Sequence, residues 1–375
     1  SDAGQNFYQT ADKVETEMQS EDIVGPFTDI VQQSALLVWG ITSSNIPNDL
    51  RWDRLLIMVS LSLILFVIYK GHGSKNSEGR ARKAKLLEFL LPKDIYTHVS
   101  ARVDIWLWII ERCLRPLWVV ALFSTVGPTT EQAVISFLGF SFGPSPELES
   151  NIVWMLLYAM VSLLCYDFVF FVIHYSMHKI PALWAIHKVH HSAEVLTPLT
   201  RSREHFLAGP IWAGGSAFSF AFAGIFAYLF NGGITQATVL GAGFFSFIFG
   251  LTGAFRHYHI QLHYPRWLSK WIQSPAMHHT HHSYLKKHWD TNMAAVTSIY
   301  DRLFGTLYIP EKDEYTPWGL GPHTQHEYRS FWQNTAGPFR DWYKMLNRGT
   351  SPQAGAISDL NGARNEQDSL KNVSH

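Results

Sequence analysis

The chain has 375 residues, and 30 Lys and Arg balance 30 Asp and Glu, so its formal charge is zero. That balance offers no basic field of the kind that nucleic acid binding uses, and no nucleic acid partner is expected. The two cysteines, Cys113 and Cys165, sit in apolar segments. They are too few for an iron–sulfur cluster or a cysteine zinc site and read as small buried hydrophobes.

Length leaves open whether the chain is one large domain or two, so the distribution of apolar residues has to decide. Residues 1–54 are acidic and read as a non-cytoplasmic segment. Leu55 to Tyr69, 15 residues flanked by Trp52, is either a thin membrane span or a buried helix. Lys70 to Lys85 holds six Lys or Arg against one Glu, which marks a cytoplasmic loop by the positive-inside rule. Ile105 to Ser124 is hydrophobic but carries Glu111, Arg112 and Arg115. With Glu111 and Arg115 four apart, it reads as a span with an internal ion pair or as an interfacial helix. Thr125 to Ser150 has three Glu and no Lys or Arg, and reads as a non-cytoplasmic loop. Residues 55–150 therefore form a first set of membrane helices joined by a basic loop.

Ile152 to Ile173 is a stretch of 22 residues whose only charge is Asp167. Gly209 to Ala254 runs for 46 residues without Asp, Glu, Lys, Arg or His, with Asn231-Gly232-Gly233 near its middle. Its length and turn residues predict a transmembrane hairpin over 209–254. Counting five spans from an exported N-terminus returns the chain to the cytoplasm after Ile173 and again after Ala254. Residues 311–375 form a cytosolic extension whose polar tail, from about Asn347, is expected to be disordered.

Fourteen of the nineteen histidines lie between His174 and His288. Eight of them make three clusters: His174 with His178, His187 with His190 and His191, and His278 with His281 and His282. Residues three and four apart share a helix face, so each cluster can aim two or three imidazoles at one point. Eight imidazoles exceed what one ion takes, whereas two ions of the iron, copper or zinc type could share them. Asp167 precedes His174 by seven residues and His178 by eleven, on the same helical face. It could accept the second N–H of His174, or it could bond to backbone or arginine between packed helices. His205 is open between a further ligand and a surface histidine. His259 and His263 share a face, and His279 points away from its cluster. Ser274-Pro275 predicts a helix start, and Asp290-x-Asn292 could cap a helix or hydrogen-bond a ligand histidine. Three kinds of protein fit a metal-rich site of this type: an oxygen-activating enzyme, a zinc hydrolase and a metal transporter. The chain lacks H-E-x-x-H, and its hairpin has no ionisable group.

The order H-x-x-x-H, H-x-x-H-H, H-x-x-H-H, with a hydrophobic hairpin between the second and third, resembles the fatty acid hydroxylase and sterol desaturase superfamily. Asp167-Phe168 before His174, Arg203-x-His205, His257 after the hairpin, Ser274-Pro275, Asp290-x-Asn292 and Asp301-Arg-Leu-Phe-Gly-Thr306 are similar to its accompanying pattern. Met293-Ala294 and the proline-free Glu204-His205-Phe206 depart from it. The resemblance covers roughly residues 151–310, the catalytic region. It implies an all-α fold, a multi-pass transmembrane helical bundle capped by a cytosolic histidine-rich metal-binding domain. It implies two iron ions, replaceable by zinc on purification, with dioxygen as co-substrate. The implied ligands are His174, His178, His187, His190, His191, His205, His257, His278, His281 and His282, with Asp167 and Asn292 as supporting site residues. The implied reaction is hydroxylation of an unactivated C–H bond in a fatty acyl or sterol lipid, with desaturation or oxidative demethylation as alternatives. Electrons would come from a separate cytochrome b5 or ferredoxin type of protein. The implied location is the endoplasmic reticulum membrane of a eukaryote or the inner membrane of a bacterium, with the clusters facing the cytosol.

Overall fold

The computed structural model describes residues 52–69, 74–118, 122, 124–149, 151–230, 253 and 255–347, all within the unit Asp49–His375. The acidic segment to residue 51, the Asn231-Gly232-Gly233 turn with nearly all of the second hairpin limb, and the tail from residue 348 lie outside the described residues. The described chain is helical. Its one pair of strands is a two-residue hairpin, Ser74–Lys75 against Ala81–Arg82.

Helix α1, Trp52–Tyr69, buries Met58, Ser62 and Leu65 at positions i, i+4 and i+7 against Phe89, Phe255 and Ile260. Its outward residues Leu56, Ile64, Val67 and Ile68 are exposed, so the helix is apolar on both faces. Helix α2, Val99–Trp118, buries its first turns. The pair expected within it, Glu111 with Arg115, is not made: Glu111 instead accepts from Arg112 Nε at 2.5 Å.

The acidic stretch expected as a loop is helical over most of its length, as α3, Ser124–Phe142. Charge counting does not see it because Glu131 is the single ionisable residue in the helix, and apart from Gln132 the rest is small, hydroxylated or apolar. The Thr129 and Thr130 hydroxyls return to backbone carbonyls one turn earlier, each at 2.7 Å, which hides their polarity.

Helix α4, Ile152–Lys179, starts at an Asn151 cap whose side chain accepts from the backbone N–H groups of Val153 and Trp154. Ile180-Pro181 ends it, with Pro181 opening α5, Pro181–His191. The first hairpin limb is α6, Ala208–Ala217, followed by α7, Phe220–Leu229. Among the described residues, two stretches are long and apolar enough to cross a membrane: α4, and the run from Ala208 to Leu229.

These segments pack in a fixed order along their length. Gly127 meets the Phe220 ring, and Tyr228 donates to the Gly143 carbonyl at 3.0 Å, so α3 runs parallel to α6 and α7. A Cβ at Gly224 would stand 2.7 Å from the Glu131 carbonyl oxygen, so only glycine allows this approach. α4 runs the opposite way, pairing Trp154 with Phe230, Tyr158 with Phe226 and Phe170 with Trp212. The far end of this bundle is the 143–149 turn, and the near end carries the histidines.

Beyond the bundle, α8, Pro275–His281, begins at the Ser274 cap and Pro275 that its sequence predicts. Helix α9, Phe331–Asn347, then packs back on α5 through Asn334 and Asp341.

Candidate metal centre

Each histidine cluster falls on a helix or its end: His174 and His178 in the last turns of α4, His187, His190 and His191 in α5, and His278, His281 and His282 on α8 and its C-cap. They converge, with His257, into two groups. His174, His178, His187, His191 and His281 form one; His190, His257, His278 and His282 form the other. Within each group one nitrogen from every ring lies within 4.8 Å of the others.

The two H-x-x-H-H helices contribute reciprocally. On α5, the i, i+4 pair His187 and His191 faces the first group, while His190, about 100° around the helix from His191, faces the second. At α8 the pair His278 and His282 faces the second group and His281 crosses to the first. α4 then completes the first group, and His257 completes the second.

Hydrogen bonds fix which nitrogen each ring offers. Nδ1 of His174 donates to the Met293 carbonyl and Nδ1 of His281 to the Thr291 carbonyl, both at 2.7 Å, while Nδ1 of His190 donates to the Arg203 carbonyl at 3.3 Å. In a neutral ring this leaves Nε2 as a lone pair. His178 Nδ1 stands 3.4 Å from an Asp290 carboxylate oxygen.

The Nε2 atoms are crowded beyond what hydrogen bonding can relieve. His257, His278 and His282 form a triangle of sides 2.9, 3.1 and 3.2 Å, and His190 stands 3.1 Å from His257. Each shared N–H satisfies one edge, so lone pairs oppose one another on others. Nε2 of His178, His191 and His281 is buried with no hydrogen-bond partner. A cation answers both problems. Nitrogens about 3 Å apart, each about 2.1 Å from a common centre, subtend roughly 90°, an angle suited to five- or six-coordinate metals. The residues present therefore fit a metal ion in each group.

Burial keeps the rings neutral, the form that binds metal. It holds His187, His191, His257, His278, His281 and His282 well below the ordinary histidine range, and His190 at about 3. Positive charge that would form on neighbouring rings acts in the same direction.

The segment 290–297 carries much of this arrangement. Asp167 does not reach His174 as one expectation held. Its carboxylate accepts from the backbone N–H groups of Ala295, Val296 and Thr297 and from the Thr297 hydroxyl, at 2.6–2.8 Å. Asp301 accepts from the N–H groups of Met293 and Ala294. Two carboxylates thus take five successive N–H groups, and the Thr291 and Met293 carbonyls are left aimed at His281 and His174. Asn292 bonds no histidine either. In a left-handed conformation, φ +56°, it donates to the Met277 and Tyr308 carbonyls and accepts from Tyr308 N.

His205 stands outside both groups, and its expected place as a ligand is corrected on chemical grounds. Its Nε2 donates to the Thr335 carbonyl at 3.0 Å, and its Nδ1 accepts from Leu207 N at 3.3 Å, so neither nitrogen is left for a metal. His259 and His279 likewise donate Nε2 to backbone carbonyls, those of Phe89 and Phe255.

Asp104 escaped sequence reasoning, and the contacts of Arg203 and Glu204, named there only as parts of motifs, come from the structure. Asp104 and Arg203 form a buried pair at 2.8 Å, and Arg203 also donates to the Val189 carbonyl and the Ser192 hydroxyl, tying the end of α5 to α2. The signal for Asp104 was a lone carboxylate in an apolar run. Glu204 lies with Oε1 3.6 Å from His190 Nδ1, and burial, aided by the Glu111 carboxylate, pushes its carboxyl up to about 8. It therefore adds little negative charge beside the ring at neutral pH.

With this geometry in place, residues 159–306 match the family model described as fatty acid hydroxylase. This segment belongs to the fatty acid hydroxylase superfamily. It holds all nine grouped histidines together with Asp167 and Asp301. An ornithine lipid hydroxylase of Rhizobium tropici, OlsE, is 25% identical over 187 residues, covering 50% of this chain and 52% of that protein. The chain thus spans about half the length of the curated relative it matches. No solved structure matches the chain.

Two outcomes follow from the site. Asp167→Asn places an amide among backbone donors, and is expected to loosen 290–297 and lower metal affinity about 10–100-fold, the usual effect of losing a supporting partner. Elemental analysis of the purified variant, with His205→Ala retaining full metal as the comparison, checks this. Acid should release metal and unfold the chain together. The seven grouped histidines outside α4 have folded pKa values below their unfolded value of 6.5, so the unfolded state binds more protons as pH falls below 6.5. Each such group removes up to about 1.4 kcal/mol of stability per pH unit below that point. Thermal unfolding temperatures from about pH 7.5 to pH 5.5 should fall steeply, with metal loss in parallel.

Proposed function

We propose that this chain is an integral-membrane hydroxylase that uses dioxygen and two iron ions to oxidise an unactivated C–H bond of an acyl lipid. The observation that carries this reading is the pair of adjacent all-imidazole groups, five and four nitrogens, within a fatty acid hydroxylase segment. Iron, when bound, supplies the redox chemistry that activates dioxygen, which no side chain in the site can supply.

The chain's own residues do the rest. His174, His178, His187, His191 and His281 hold one ion, and His190, His257, His278 and His282 the other. The 28-residue α4 is about 42 Å long by helix geometry, while a bilayer's hydrocarbon core is about 30 Å. The surplus of about 12 Å is the final eight residues, which include His174 and His178. Histidines on that overhang stand beside the lipid boundary, within reach of an acyl chain. Phe170 stacks on Trp212 at 4.8 Å and meets the His174 ring edge-on at 5.4 Å. These rings keep the bundle side of the site apolar, which favours a hydrocarbon and excludes water.

Electrons come, in this proposal, from a separate carrier of the cytochrome b5 or ferredoxin type. The name of the R. tropici relative makes an ornithine lipid the first substrate to test, before acyl phospholipids and sterols. Membranes containing the protein, a reducing partner and lipid extract should yield a lipid one oxygen atom heavier, labelled when the dioxygen is isotopically labelled. His190→Ala or His281→Ala should abolish the product. Loss of two hydrogens without oxygen gain would instead make the enzyme a desaturase, and no dioxygen-dependent product in any lipid class would contradict the proposal.

A further inference from the structure

Helix α9 lies beyond the 159–306 segment, and the metal site does not account for its outer face. Trp332, Phe339, Tyr343 and Leu346 are 76%, 47%, 69% and 83% exposed. With exposed Ala336 they fall within about 80° of one another around the helix axis at 100° per residue. No charged residue interrupts that face. Arg340 and Lys344 stand on its flank, each paired with Glu327, at 3.1 and 3.2 Å. The opposite face is fastened to the protein: Asn334 accepts from the Ser192 hydroxyl at 2.8 Å, and Asp341 pairs with Lys188 at 2.7 Å. An isolated exposed aromatic is ordinary on a protein surface, but an uncharged stripe of this length needs a covering.

Its position identifies the covering. Trp342 donates to the Ala182 carbonyl at 2.9 Å and packs among Met177, Ala208 and Ile211, where α4 ends and α6 begins. Phe339 lies 5.7 Å from the His205 ring and 6.3 Å from Phe206, just before α6. The stripe therefore adjoins the two apolar segments at the end that bears the histidines. Tryptophan and tyrosine on one uncharged face, with cationic flanks, are the residues of a helix lying in a membrane interface.

We propose that α9 lies in the plane of the lipid surface on the metal side of the bilayer, with Trp332, Phe339, Tyr343 and Leu346 sunk into the boundary between headgroups and acyl chains. Because α9 is fastened to α5, it also holds His187, His190 and His191 at a set depth beside that boundary. The inference rests on the reading of α4 and α6–α7 as membrane-crossing.

The test uses the full chain with Cys113 and Cys165 replaced by alanine, reconstituted in phosphatidylcholine–phosphatidylglycerol vesicles. A single fluorophore is attached after Tyr343→Cys, Leu346→Cys, Met160→Cys on the outward face of α4, or His323→Cys on the exposed surface. Labels at 343 and 346 are expected to lose roughly half or more of their emission to brominated lipid and to resist aqueous iodide, as buried interfacial residues do. The label at 160 should follow them, and the label at 323 should show the reverse. Iodide quenching at 343 and 346, with 160 still quenched by lipid, would overturn the inference while leaving the crossing intact. Protection of 343 and 346 from both quenchers would also overturn it, in favour of a protein partner or a second copy. Failure of lipid quenching at 160 would remove the crossing itself.

Discussion

Nine imidazole nitrogens packed into two groups, each within 4.8 Å, repel one another unless protons or cations stand between them. Protons are a poor solution in this protein, because burial disfavours the imidazolium form at every grouped histidine outside α4. Cations are a good one, since neutral imidazole is a ligand of choice for first-row divalent ions. The rest of the structure reads as a frame that keeps these rings close before an ion arrives. α4 is anchored through Asp167 to the 295–297 backbone, α5 through Arg203 to Asp104, and α8 through Asn292 to the Met277 carbonyl. In each case a buried polar side chain has its hydrogen bonds taken up by fixed backbone or side-chain partners, which holds a ligand helix in position.

The reciprocal use of the two H-x-x-H-H motifs explains why both have the same spacing. A pair four apart serves one ion and the preceding neighbour of its second member serves the other, so neither motif belongs to one metal alone. Displacing either helix would disturb both groups. This links the occupancy of the two groups more tightly than their separate ligand lists suggest.

The sequence carried the clusters, because helical periodicity alone predicts that residues three and four apart converge. It could not assign them between two ions: that His281 crosses to the α4 group depends on where α8 docks. Asp167 was visible as a lone carboxylate in an apolar run, but its partners lie about 130 residues onward in the 295–297 strand of backbone, where no local pattern points. His205 misled because family-like spacing says nothing of the Thr335 carbonyl that takes its N–H. α3 was hidden for a different reason. The Glu residues set the charge sign of 125–150, but Ala133 to Phe142 is an uncharged, mostly apolar run that carries the helix on from Glu131.

X-ray absorption at the iron edge of the anaerobically loaded, full-length protein tests the central claim most directly. The account predicts about two ions per chain, no sulfur neighbour, and an averaged shell of four to five imidazoles per ion, as groups of five and four require. One ion per chain at saturation, or an average of three or fewer imidazoles, would contradict it.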